Sequence, residues 1–256
     1  MNSNTVFLLD LDDTLFNTEQ YKTDLFNKIG HVINPTGVAA QGGAEIAAIY
    51  NLYRQNNPVY NPNEFAQFLS STFGYEAEIR DCFETDYTQY VLPEAAELVK
   101  QLAKQGRVII WTAGSYPDQA AKLTKSGLLL PGKNNSNIVD ASVLTQDVNP
   151  LFRPAPIAIV DSRKEQEPRE QLKFFLENLP ENEIVVIDNQ AGLIKQVVEM
   201  NNSRLKGVWV DQGEQKDKES AQELRTNLPP QVESFASTAE FKQYLTKETF
   251  TPEQKG

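Results

Sequence analysis

The sequence predicts an α/β protein, a doubly wound parallel sheet with a second, small all-helical domain. Three observations carry that expectation. Short apolar runs alternate with segments of helical periodicity, the pattern of strand–helix–strand units. Several of these runs stop abruptly at a carboxylate or a hydroxyl, as Val6 to Phe16 does in the string VFLLDLDDTLF. Between the first and second runs, residues 18–92 keep helical spacing with no strand-like alternation.

Taken in order, Thr5 to Leu11 suits a strand buried on both faces of a parallel sheet, with Asp10, Asp12 and Asp13 crowded at its carboxyl end. In open α/β sheets that edge is where ligands bind. Crowded carboxylates at the edge of a core need a cation or hydrogen-bond donors to stay charged. A divalent cation with an oxygen-rich shell is therefore expected, leaving one carboxylate as a nucleophile.

The helical block follows. Tyr21, Leu25, Phe26, Ile29, Val32 and Ile33 recur at helical spacing, Ala44 to Tyr53 reads as a second helix, and Asn61-Pro62-Asn63-Glu64 caps a third. Tyr75 to Tyr90 reads as a fourth helix, with Gly37, Gly42, Gly43 and Asn56-Asn57-Pro58 as the turns. These boundaries predict a core domain over 1–17 and 93–256 and a helical domain over 18–92.

Pro93 opens a helix that stops at Gly106, and Arg107 to Thr112 is a second strand ending in a hydroxyl, with Ala113-Gly114-Ser115 as a sharp turn before a further helix. Residues 131–154 are polar and rich in Asn and Pro, which predicts a long connection. Ile157 to Asp161, Ile184 to Asp188 and Gly207 to Val210 read as further strands, with helices at 168–179 and around Leu193 to Val198. Residues 211–225 predict a solvated loop or short helix, and Ser237 with Glu240 forms a capping box for a last helix.

Composition bounds the function. A chain of 256 residues with 40% apolar and 9% aromatic residues can bury a full core. Its formal charge of −11 argues against nucleic-acid or anionic-membrane partners, which need basic patches. One cysteine, Cys82, forms no internal disulfide, so the cytoplasm is expected. No stretch approaches the roughly 20 apolar residues of a membrane-spanning helix, and no basic, cleavable leader is evident.

The polar residues that stand out end predicted strands or follow them closely: Asp10 and Asp12, Thr112, Lys164, and the pair Asp188-Asn189. At these residues the chain resembles the haloacid dehalogenase superfamily. That family has Asp-x-Asp-x-Thr after the first strand, a Thr or Ser after the second, a basic residue ahead of the fourth, and an acidic pair or Gly-Asp at the fourth strand's end. The resemblance implies a Rossmann-like core and identifies the helical domain as a cap inserted after the first motif. It also implies a Mg²⁺-dependent phosphatase of small phosphorylated metabolites that works through an aspartyl-phosphate.

In that reading Asp10 is the nucleophile and Asp12 the general acid and base. Thr112, Ala113 and Lys164 contact the phosphoryl group, with Lys164 also offsetting charge. Asp10, Asp12, Asp188 and Asn189 form the metal shell, Asn189 standing ahead of Asp188 as the direct ligand. The chain departs from many members in having Asn189 where a second acidic residue is common, a form that resembles small phosphatases acting on an RNA polymerase tail. Asp13 and Thr14 read as turn caps, His31 as incidental, and Cys82, with no histidine close in sequence, as a buried or partly buried thiol. A phosphoryl-transferring mutase and a non-catalytic phosphate-binding protein are the alternatives. A receiver-like switch ranks below them, because it predicts neither the Asp-x-Asp-x-Thr spacing nor a long insertion. A dehalogenase is disfavoured, because ester hydrolysis needs the acid/base Asp12 and dehalogenation does not.

Overall fold

The computed structural model describes residues 4–129, 137–152, 157–211 and 218–247. Seven parallel strands form one sheet: β1 (Thr5–Leu9), β2 (Arg107–Thr112), β3 (Ile138–Asp140), β4 (Ile157–Val160), β5 (Glu183–Asp188), β6 (Leu205–Val210) and β7 (Val232–Phe235), in the order β3-β4-β2-β1-β5-β6-β7. The strands read as near-continuous Val/Ile/Leu runs because helices cover both faces, as parallel sheets require. Strand β1 lies between β2 and β5, with Leu8 opposite both Ile109 and Val186. From β1 the sheet extends through β2, β4 and β3 to one side and through β5, β6 and β7 to the other, so the direction of build-up reverses between β1 and β5. That reversal is the place where open α/β sheets bind ligands.

Eleven α-helices accompany the sheet among the described residues. Between β1 and β2 there is no other strand, and four helices, α1 (Thr18–Ile33), α2 (Ala39–Asn56), α3 (Pro62–Phe73) and α4 (Glu76–Phe83), precede the one that leads into β2. Their buried face is aromatic: Phe65 is fully buried among Tyr50, Tyr53 and Phe68. The remaining seven are α5 (Ala95–Gln105), α6 (Tyr116–Lys125), α7 (Ala141–Leu144), α8 (Pro168–Asn178), α9 (Ala191–Glu199), α10 (Lys218–Thr226) and α11 (Thr238–Lys247).

Three features differ from the sequence expectation. Gly42 and Gly43 are not turns but lie inside α2. They are there because α1 and α2 touch backbone to backbone: a Cβ on Gly30 would stand 2.4 Å from the Gly42 carbonyl carbon. The fourth predicted helix is two pieces, α4 and a 3₁₀ turn at Tyr87–Tyr90. Finally, the polar connection over 131–154 contains β3, and β7 lies beyond the last predicted strand. Each is an outermost strand of three or four residues, too short to show a period.

Candidate active site

The site begins where β1 ends. The Asp10 amide donates to the Ile187 carbonyl at 2.9 Å, carrying the β1–β5 ladder one residue further and fixing the Asp10 side chain beside the end of β5. Lys164 reaches the same point from the turn after β4. Its Nζ lies 2.5 Å from Asp10 Oδ1, 2.7 Å from Asp188 Oδ2 and 2.8 Å from the Trp111 carbonyl. All three side chains are at least nine-tenths buried. Burial opposes the charge on Lys164, but Asp10 and Asp188 outweigh it and hold the ammonium above the ordinary lysine range. Burial pushes the Asp10 carboxyl well up; Lys164 pulls it down, while Asp188 and Asp12 add to the rise. One ammonium therefore leaves the carboxylates under-compensated.

The turn after Asp10 organises the rest. Asp13 adopts left-handed backbone (φ 57°) and its Oδ1 accepts from the Thr18 amide at 2.8 Å, capping the start of α1. Thr14 donates to Asp10 Oδ2 at 3.2 Å, a role beyond turn geometry. Asp12 is held by three donors: Thr18 Oγ1 at 2.5 Å and Lys122 Nζ at 2.8 Å on Oδ1, and Gln119 Nε2 at 2.9 Å on Oδ2. Burial raises its pKa, but the Lys122 charge and these hydrogen bonds prevail and hold it at about 2.

Gln119 and Lys122 stand on one face of α6, one helical turn apart. Gly114 (φ 123°) permits this approach, since a Cβ there would lie 2.9 Å from Gln119 Nε2. Behind them Asp118 Oδ2 is 3.4 Å from Lys122 Nζ, while its Oδ1 is buried with no hydrogen-bond partner. Burial, opposed by Lys122, raises the Asp118 carboxyl.

A cavity of about 460 Å³ opens above this edge of the sheet. Asp10, Asp12, Asp13, Ala113, Gln119, Lys122 and Asn189 line one side, and Lys22, Tyr50, Asn51, Arg54 and Tyr60 of the helical block line the other. The structure thus brings Asp10, Asp12, Ala113, Lys164, Asp188 and Asn189 into one place. Thr112 belongs to the same strand edge, but its hydroxyl is fully buried and donates to Gln119 Oε1 at 3.2 Å. Thr18, Gln119, Lys122 and Asp118 were not foreseen. Their only sequence signal is the spacing Asp118-Gln119-x-x-Lys122, which an ordinary helix face shares.

The oxygen donors at this edge suit a hard cation. Among the described residues no three His, Cys, Asp or Glu side chains converge as a metal-holding group. The set is instead two carboxylates, Asp10 and Asp188, with the carboxamide of Asn189, and the excess of buried negative charge over Lys164 is what a divalent ion would neutralise. Both Asp12 carboxylate oxygens are engaged by other donors.

Comparison with known proteins agrees with this fold. No curated protein matches the chain. Among solved structures, one from Burkholderia xenovorans LB400 designated a haloacid dehalogenase-like hydrolase superposes with a TM-score of 0.61 at 17% identity, covering 94% of this chain and 98% of the other. The magnesium-bound HAD-hydrolase YfnB from Bacillus subtilis gives 0.51 at 16% identity, covering 94% and 97%. A protein from Thermotoga maritima designated a β-phosphoglucomutase gives 0.51 at 13% identity, covering 95% and 98%. L-2-haloacid dehalogenases are similar in fold as well. At these identities the likeness is one of fold. The family model for haloacid dehalogenase-like hydrolases matches residues 5–175, about two-thirds of the sequence, and on that match the chain belongs to the haloacid dehalogenase-like hydrolase family.

Proposed function

We propose that the protein is a magnesium-dependent phosphatase of small phosphorylated metabolites, acting through a phosphoryl-Asp10 intermediate. The observation that carries this reading is the pair Asp10 and Asp12. One is tied to Lys164 at the strand edge; the other stands two residues on in a separate cage of donors, and both line one cavity. An enzyme that hydrolyses phosphate esters needs a nucleophile and a separate proton-transfer group, and a lone strand-end carboxylate supplies only the first.

An Asp10 carboxylate oxygen attacks phosphorus, forming an O–P bond as the bond to the ester oxygen breaks. Lys164 offsets charge on Asp10, and Thr14 orients its second oxygen. Protonated Asp12 gives its proton to the departing alkoxide. As the carboxylate, it then takes a proton from the water that attacks the phosphoryl group and frees Asp10. In the present arrangement the three donors hold Asp12 ionised, the form that the second step uses. Serving as acid requires the leaving oxygen to displace some of them. Asp10, Asp188 and Asn189 are the residues that would hold magnesium, which when bound supplies positive charge to the phosphoryl oxygens. Helices α1–α4 act as the cap that closes the cavity from water.

The same cavity serves phosphoryl transfer to a second hydroxyl if water is excluded, which makes a mutase the second reading. Phosphate release from a panel of phosphorylated metabolites, with magnesium, tests the first. Asp10→Asn is expected to lower the rate by at least about 10³-fold. Equal activity, or equal inactivity, of wild type and Asp10→Asn contradicts it.

A further inference from the structure

Two cations on the helical wall of the cavity have no carboxylate partner. Lys22 of α1 makes no hydrogen bond or ion pair with the described residues, and its Nζ lies 5.7 Å from the Tyr50 ring centroid. Arg54 of α2 lies 5.9 Å from the same centroid; it donates to the Tyr50 hydroxyl at 3.1 Å and the Pro58 carbonyl at 2.6 Å. Its Nε is buried with no hydrogen-bond partner. Two like charges thus share one ring, in a chain whose net charge is −11, with no anion between them.

The carboxylates opposite have nearer cations than these two. Lys122 answers Asp12 and Asp118, and Lys164 answers Asp10 and Asp188. Asp118 also borders the cavity; burial raises its carboxyl, Lys122 pairs with it, and the charge of Lys22 acts on it more weakly and without an ion pair. A ring face attracts each cation only weakly where water still reaches it, and does not neutralise it. A buried donor left unpaired keeps its desolvation penalty. An anion between Lys22 and Arg54 removes both penalties, and it would sit on the side of the cavity away from Asp10.

Resting on the phosphatase reading above, we infer that the leaving group carries a second anionic group, a carboxylate or phosphate, bound by Lys22 and Arg54. Esters with neutral polyol leaving groups would then be the poorer substrates. Arg54 also straps α2 to the Pro58 turn, so Lys22, which makes no hydrogen bond or ion pair with the described residues, is the cleaner position to test.

Calorimetry with magnesium and two non-hydrolysable probes reads the subsite without turnover. Phosphonopropionate, with a terminal carboxylate, is expected to bind about tenfold tighter than propylphosphonate, which lacks it. Propylene diphosphonate tests phosphate as the second anion. Lys22→Met is expected to abolish the preference and Lys22→Arg to retain it. Equal affinities in wild type, no binding of any probe, or a preference that survives Lys22→Met overturns the inference. Phosphate release from glycerol phosphate and phosphoglycerate separates the two readings. Turnover without a preference for the carboxylate ester sinks the subsite alone; a calorimetric preference without turnover sinks the phosphatase alone.

Discussion

Asp10 and Asp12 are two residues apart in sequence and opposite in proton affinity. Asp10 is enclosed with Asp188 against one ammonium, so burial raises it, whereas Asp12 meets Lys122, Thr18 and Gln119 and is held at about 2. The sequence shows both carboxylates and their likeness to the family motif. It does not show which is better compensated, because the donors to Asp12 come from the start of α1 and from α6, about a hundred residues on. A stability consequence follows for Asp12. Its folded pKa lies below the ordinary carboxylate value, so it contributes stability above about pH 4 that is lost as pH falls through about 2. Allowing for its partial exposure, that contribution is about 1–2 kcal/mol. The denaturant stability of wild type over Asp12→Asn, measured in chelator, should shrink by this amount between pH 5 and pH 2. A pH-independent difference would mean that the three donors do not discriminate the charged form.

At the scale of elements, the strands that carry the site were legible and the outermost ones were not. Strands β1, β2, β4 and β5 are buried on both faces and end in Asp10, Thr112, Asp161 and Asp188 or lead straight into them, so an apolar run and its polar stop mark each. Strands β3 and β7 lie at the two edges of the sheet, where less burial leaves no comparable run. Glycines misled in the helical block, because Gly42 and Gly43 serve contact rather than turning. This gives a sharp prediction. Gly30→Ala forces a Cβ into the α2 backbone, 2.7 Å from the Gly43 nitrogen, and overpacking of this kind costs about 1–3 kcal/mol. Urea unfolding should show that loss; an unchanged midpoint would mean that α1 and α2 are not held at backbone contact.

For the whole molecule, the crossover between β1 and β5 places Asp10 and Asp188 side by side although 178 positions separate them, and the helices inserted after β1 roof the same edge. The sheet and its polar strand ends were readable from alternation and spacing; the wall contributed by Lys22 and Arg54 was not, because helical periodicity marks only the buried face. If Asp10, Asp188 and Asn189 hold magnesium, the ion binds the native chain alone. At a hundredfold excess over its Kd it should then stabilise the fold by about 2.7 kcal/mol. Thermal unfolding should show a rise in Tm that chelation reverses and Asp188→Ala removes; a Tm indifferent to magnesium would contradict the assignment. Covalent chemistry at Asp10 can be read with an aryl phosphate, because its leaving group needs no proton. With Asp12→Asn the first step proceeds and the second lacks its base. Mass spectrometry of acid-quenched Asp12→Asn with an aryl phosphate and magnesium should therefore find a phosphoryl group on Asp10. Release of the aryl alcohol with no phosphoryl group on Asp10 would rule out Asp10 as the nucleophile.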